Sequence, residues 1–204
     1  MFTSLVTGSL AKDADDELST DGWTFDASSV NQNKGIPQEV PQNVTDGNLD
    51  THWHSMIEPK AEAPHYFTVI LPGVTEVGGY RYYPRASSSG SAKAGTVTKY
   101  EIYVSADGKN YEKAAAGMWE ESTAAKTAKF PKNYRAKYVR LQILEATGGY
   151  ASAGEIRLLK PDKSKQTVNV TGTIQFPWAK VQTAANEKEK FGDELPTKGW
   201  TFDA

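Results

Sequence analysis

The 204-residue chain contains no cysteine and only three histidines. It has no apolar run near the ~18 residues a membrane-crossing helix needs and no excess of one charge. Each lack excludes something. Without cysteine there is no thiol catalysis, no cysteine zinc site and no disulfide. Animal extracellular domains of this size often carry disulfides, so the lack leans towards a bacterial origin or a reducing compartment. His52 and His54 sit side by side on one strand and His65 opens another, with no further ligand nearby. That is not a metal-catalytic histidine cluster. Lys and Arg number 23 against 25 Asp and Glu, a formal net charge of −2, which argues against an electrostatic nucleic-acid binder. The start, Met1 to Leu5, lacks the charged and apolar regions of a signal peptide. That carries no weight if the chain is a piece of a larger protein, as the repeat described below indicates.

What is present is aromatic and alternating. Ten tyrosines and five tryptophans supply core for one ordinary domain with extensions, or for two small ones. Apolar and polar residues alternate through a strand opening at Trp23, then 65–71, 77–83, 98–104, 137–144 and 154–159. Shorter stretches lie at Tyr111, Met118-Trp119 and 128–130. Pro72-Gly73 and Pro84 end two of these strands and Asp107-Gly108 forms a turn. Residues 29–45, 56–64 and 86–95 read as loops. Many short strands, turn residues between them and no amphipathic helix predict an all-β sandwich.

The densest chemistry lies in Asp46-Gly47-Asn48-Leu49-Asp50-Thr51-His52-Trp53-His54. Asp-Gly and Asn form a tight turn that bares carbonyl oxygens. With Asp46 and the Thr51 hydroxyl these suit a hard cation such as Ca²⁺, although the spacing is not that of an EF-hand. Beyond the turn, an extended backbone sets Trp53 on the face opposite His52 and His54, anchoring the indole and aiming an imidazole outward. The stretch 16–27 recurs as 193–204, with differences only at Ser19/Pro196 and Asp21/Lys198. Val6-Thr-Gly-Ser-Leu and Val170-Thr-Gly-Thr-Ile echo one another as well. Such matches predict duplicated modules in a longer parent. The expected organisation is a linker over 1–19, a sandwich over 20–161, a linker or the start of a neighbouring element over 162–192, and a second copy beginning at 193–204. A lone first strand at the C-terminus also makes domain swapping a hypothesis.

Four segments in order carry a family resemblance. They are 46–55; Tyr80-Arg-Tyr-Tyr-Pro-Arg85; 100–108 with Gly117-Met118-Trp119; and 138–141 followed by Tyr150-Ala-Ser-Ala-Gly-Glu-Ile156. Together, over roughly residues 20–160, they resemble the discoidin or coagulation-factor type C domain, and most closely its bacterial sugar-binding branch, the family 32 carbohydrate-binding modules. The resemblance implies an eight-stranded antiparallel jelly-roll β-sandwich with a structural Ca²⁺. It implies that the ion is held by backbone oxygens of Asn43, Asn48, Thr51 and Gly154 and by side chains of Asp46, Thr51 and Glu155. It also implies a sugar site of His54, Arg85 and Tyr150 on the loops at one end. An arginine bonds the axial hydroxyl of a galactose-type ring, an aromatic ring takes its C–H face, and the imidazole donates or accepts. Two positions depart from the family pattern. Ile57 stands where many members have Trp, and Ala94-Gly95 beside Lys93 stands where many have Asn-Gly. The ligand is therefore not bound to be plain galactose, and Lys93 favours an acidic or sulfated sugar.

The expected function is a non-catalytic module that tethers an appended, extracellular, surface or periplasmic bacterial protein to a glycan. Nucleic-acid binding and membrane insertion are not expected. The alternative is a discoidin-type protein- or lipid-binding adhesion domain, for which Met56-Ile57 is the apolar tip, though with few cations nearby. No nucleophile setting of the Gly-x-Ser-x-Gly kind exists, and no pair of carboxylates placed for glycoside hydrolysis is identifiable.

Overall fold

The computed structural model describes residues 15–31, 39–86 and 93–176. Its strands are β1 (Thr24–Ala27), β2 (Trp53–His54), β3 (His65–Tyr83), β4 (Val97–Ser105), β5 (Glu112–Met118), β6 (Lys126–Ala146), β7 (Ser152–Ala153), β8 (Glu155–Leu159) and β9 (Thr167–Asn169). One sheet runs β1-β3-β6-β4-β5, with β8 added on β3 and β9 on β6; β2 and β7 pair separately. Every pairing is antiparallel except that of β9 with β6. The architecture is the all-β sandwich that the alternation predicts.

Nine strands rather than eight are present among the described residues, because β2, β7 and β9 are short extra pieces of two or three residues while β3 and β6 run for 19 and 21. Each long strand does the work of two. In β3 the stretches 65–71 and 77–83 are one strand rather than two divided by a turn. The ladder to β6 slips between Ile70 and Thr75, where Pro72-Gly73 lies, and again between Val77 and Gly79. A proline inside a slip forfeits no ladder hydrogen bond, and a bulge bends and twists its strand. The first part of β3 pairs with β1 and the last part with β8. Apolar residues of both parts thereby meet in one core, with Phe67, Val69, Tyr80 and Tyr82 buried beside Trp53, Ile102, Phe130, Leu141 and Ile156.

The described parts of both flanking segments, 15–19 and 162–176, pack on the sandwich. Within 1–19, Glu17 is 3% exposed and bridges Leu159, and its carboxylate accepts from Arg81 at 2.5 Å. Within 162–192, β9 extends the sheet, Ile174 bridges Tyr111, and the Phe176 ring lies 4.2 Å from the guanidinium carbon of Arg140. Arg140 is 1% exposed, and Tyr66 covers it at 3.6 Å. These buried charges are why the added segments belong to the body of the domain. The repeat copy at 193–204, residues 177–192, residues 1–14 and parts of the loops at 29–45 and 86–95 lie outside the described residues.

Candidate functional site

Two groups of polar side chains lie at the loop end of the sandwich. The first is built on the 46–51 turn. Asp46 accepts from the Asn48 amide at 2.8 Å and from the Thr51 hydroxyl at 2.6 Å, and that hydroxyl also lies 2.9 Å from the Asn48 carbonyl. Gly47, at φ 80°, closes the turn and donates its N–H to Glu155 at 2.5 Å. Glu155 is wholly buried. Burial, first, and the adjoining Asp46 carboxyl push its acid group up to about 7, against the pull of the Arg157 guanidinium that pairs with it. Two residues more than a hundred positions apart thus press their carboxyls together. Gly154, the next expected contributor, lets β8 approach the 84–85 backbone: a Cβ there would lie 3.0 Å from the Pro84 carbonyl oxygen. Asn43 lies in the 3-10 turn Pro41–Thr45 and donates its side-chain amide to the His52 carbonyl at 3.1 Å. Among the described residues no three His, Cys, Asp or Glu side chains form a metal cluster. A cation here would rest on two carboxylates and on neutral oxygens. That hard-oxygen set fits Ca²⁺, and a dication would relieve the carboxyl pair.

The second group joins the residues expected to meet a sugar. β2 seats Trp53 wholly in the core, its ring 4.9 Å from that of Phe67 and its indole N–H on the Ser29 carbonyl at 3.0 Å. His54 does not point into open solvent. It is 2% exposed, with Nδ1 2.6 Å from the Ser55 carbonyl and its ring 5.5 Å from that of Tyr150. This corrects the outward imidazole: Tyr150 covers it. Arg85, at the end of β3, sets Nη1 3.2 Å from His52 Nε2, which is also 3.0 Å from Glu39. One nitrogen cannot accept from Arg85 and donate to Glu39 together, so the trio has two hydrogen-bonding states. Burial holds the pKa values of His52 and His54 below the usual histidine value. Glu39 also takes the Asn31 amide at 2.5 Å. Two buried polar atoms here have no partner, Arg85 Nε and Asn31 Oδ1.

Lys93 and Ile57 stand apart from this group. Lys93 is exposed and opens a turn in which Gly95 bonds Thr147 and Ser152. Ile57 is half-buried in the 57–60 turn. The residue of that turn that reaches the site is Lys60, its Nζ 4.7 Å from the centre of the Tyr150 ring and 3.1 Å from the Gly148 carbonyl. Sequence reasoning missed Glu39, Asn31 and Lys60 as members of the site and did not assign His52 to it. His52 carried a signal, being inside the motif. Glu39 and Asn31 lie in a stretch rich in Asn, Gln and Pro with no apolar period, and only the folded chain brings Glu39 to His52 and Asn31 to Glu39.

Comparison with known proteins agrees with this architecture. The F5/8 type C domain model matches residues 24–156. Two curated proteins align over part of the chain. They are an A type blood N-acetyl-α-D-galactosamine deacetylase from Flavonifractor plautii, 30% identical over 125 residues or 61% of the chain, and a sialidase from Micromonospora viridifaciens, 35% identical over 122 residues or 57% of the chain. These alignments cover 16% and 18% of those proteins, so the chain spans under a fifth of their length. Among solved structures, a family 32 module of Clostridium perfringens in complex with GalNAc-β-1,3-galactose is 35% identical with a TM-score of 0.61, covering 67% of this chain and 94% of that one. The family 32 module of C. perfringens NanJ in complex with galactose is 27% identical with a TM-score of 0.58, covering 68% and 93%. With β1 through the Gly154-Glu155 junction inside the matched span, this chain belongs to the F5/8 type C domain family.

Proposed function

We propose that this domain is a non-catalytic carbohydrate-binding module that holds a galactose-type sugar against Arg85, His54 and Tyr150. The observation that carries the reading is Arg85. Its guanidinium is held by His52 and the nearby Glu39, yet its buried Nε has no partner. Leaving a buried donor unpaired costs about 1–3 kcal/mol, and a ligand hydroxyl would remove that cost. The Tyr150 ring beside His54 supplies the apolar surface on which the C–H face of a pyranose lies. Two relatives whose solved structures contain galactose or GalNAc-β-1,3-galactose support a ligand of that class. Both curated relatives are far longer than the chain, which supports a module appended to a larger, extracellular or surface protein. The lipid-binding alternative has less support, since its Met56-Ile57 tip is half-buried.

In the same reading, a structural Ca²⁺ sits on Asp46 and Glu155, with Thr51 and carbonyls of Asn43, Asn48 and Gly154. It would pin the 46–51 turn to the start of β8, where Gly154 lies against the Arg85 backbone. Titration calorimetry with galactose and N-acetylgalactosamine tests the sugar site. The wild type should bind and Arg85→Ala should bind at least about tenfold more weakly; equal binding by both would place the sugar elsewhere.

A further inference from the structure

A second cavity shares Tyr150 with the candidate sugar site and none of its other expected residues. It is lined by His65, Thr98, Glu121, Glu145, Thr147 and Tyr150, with a volume of about 350 Å³. That is near the low end of ligand pockets, roughly 300–1,000 Å³, and suits one sugar ring rather than a long chain. His65 is 1% exposed; its Nε2 faces the Gly149 carbonyl at 3.3 Å, while its Nδ1 has no partner. A buried, unpartnered polar atom in the wall of a cavity is a position where a ligand or a water is needed.

We propose that this cavity is a second saccharide subsite, in which a glycan whose terminal galactose-type unit lies on Arg85 and His54 places its next unit beyond Tyr150. The inference rests on the sugar-binding reading of the first site. Charge sets the class of the second unit. The lining holds two carboxylates and no lysine or arginine; Glu145 is paired with Lys99 from outside it at 3.0 Å. With Glu121 the one lining carboxylate that has no ion pair among the described residues, and no lysine or arginine in the lining itself, a neutral hexose or hexosamine fits better than a sialylated or sulfated unit. Hydroxyls of Thr98 and Thr147 and the Glu121 carboxylate are the groups that would bond its hydroxyls. Lys60, over Tyr150 and bonded to the Gly148 carbonyl, marks the rim between the two sites.

The test compares galactose and N-acetylgalactosamine with their β-1,3- and β-1,4-linked neutral disaccharides by titration calorimetry. For at least one disaccharide the wild type should bind about tenfold tighter than its terminal monosaccharide, equal to ~1.4 kcal/mol. Ala63→Trp, at an exposed position of the cavity wall, should bring that gain within about twofold while monosaccharide affinity stays unchanged. Glu121→Gln should reduce the gain without affecting the fold. Amide shifts at Thr98 and Thr147 should follow the disaccharide and not the monosaccharide. No gain for any disaccharide, or a gain that survives both substitutions, overturns the subsite even if Arg85→Ala still weakens monosaccharide binding. Monosaccharide binding that is indifferent to Arg85→Ala overturns the first site instead.

Discussion

The carboxylate clasp and the arginine–histidine group lie at the same end of the sandwich, yet they are finished to different degrees. Around Asp46 and Glu155 the carboxylate oxygens are bonded to the Gly47 and Asn48 amides, the Thr51 hydroxyl and Arg157. Around Arg85, two buried polar atoms have no partner and one imidazole nitrogen is shared by two neighbours. A region bonded within itself stiffens the fold. A region left short of partners is where a bonded ligand would gain most, which is why the proposed sugar site falls there.

Substitutions should separate the two. The largest effect is expected from Glu155→Ala. It leaves Arg157, 4% exposed at its side chain, with the Val44 and Ile156 carbonyls and, as its remaining charge partner, the more distant Glu17 carboxylate at 3.6 Å. Breaking a buried pair from one side costs about 3–5 kcal/mol, which calorimetry or urea denaturation would register as a large drop in Tm. A stability unchanged by the substitution would mean that the clasp holds nothing together. Chelation comes next. Removing Ca²⁺ held at a hundredfold excess over its Kd should cost about 2.7 kcal/mol, and the same chelator should leave the Tm of Glu155→Ala unmoved. Identical wild-type melting with and without chelator would refute the ion.

Arg85→Ala should do the reverse. Sugar affinity should fall by roughly 1.5–3 kcal/mol, the worth of a hydrogen bond to a charged group, while stability changes little. Tyr150→Ala should weaken binding by about tenfold and Tyr150→Phe by less than twofold, if the ring rather than the hydroxyl meets the sugar. A Phe variant as weak as Ala would give the hydroxyl the larger part.

The smallest effect is a pH dependence. His52 and His54 have pKa values depressed by burial in the folded protein, so the unfolded chain takes up protons first. Their contribution to stability is therefore full above the unfolded value of about 6.5 and falls as the pH drops below it, while the raised Glu155 group contributes in the opposite sense over the same range. A thermal-denaturation series from pH 7 to 5 should show this loss, and the combined His52→Gln and His54→Gln variant should show less of it. An equal slope in both proteins would assign the loss to other groups.

Some of this was written in local patterns. Alternation along 98–104 and 137–144 announced the sandwich, because in a strand the side-chain period is two and one face must be buried. The Asp46–Thr51 turn announced a hard-oxygen loop, since Asx and Gly residues form such turns from their own neighbours. The resemblance over four segments placed Arg85 and Tyr150 at one end. The strand ends were less legible. Pro72-Gly73 reads as a stop in isolation, and only the partner strand shows that the ladder slips there and resumes at Thr75.

The sequence by itself settled the all-β class, the aromatic core and the residue types available at the loop end, because these depend on short-range periodicity and on chemistry that each residue carries with it. Only the tertiary structure decided that Glu39, with Asn31 behind it, joins the His52–Arg85 pair, that His54 lies beneath Tyr150, and that Glu17 and Phe176 pack on the domain. Those contacts join positions far apart in the chain, and burial, not sequence spacing, determines which polar atoms find partners and which are left open.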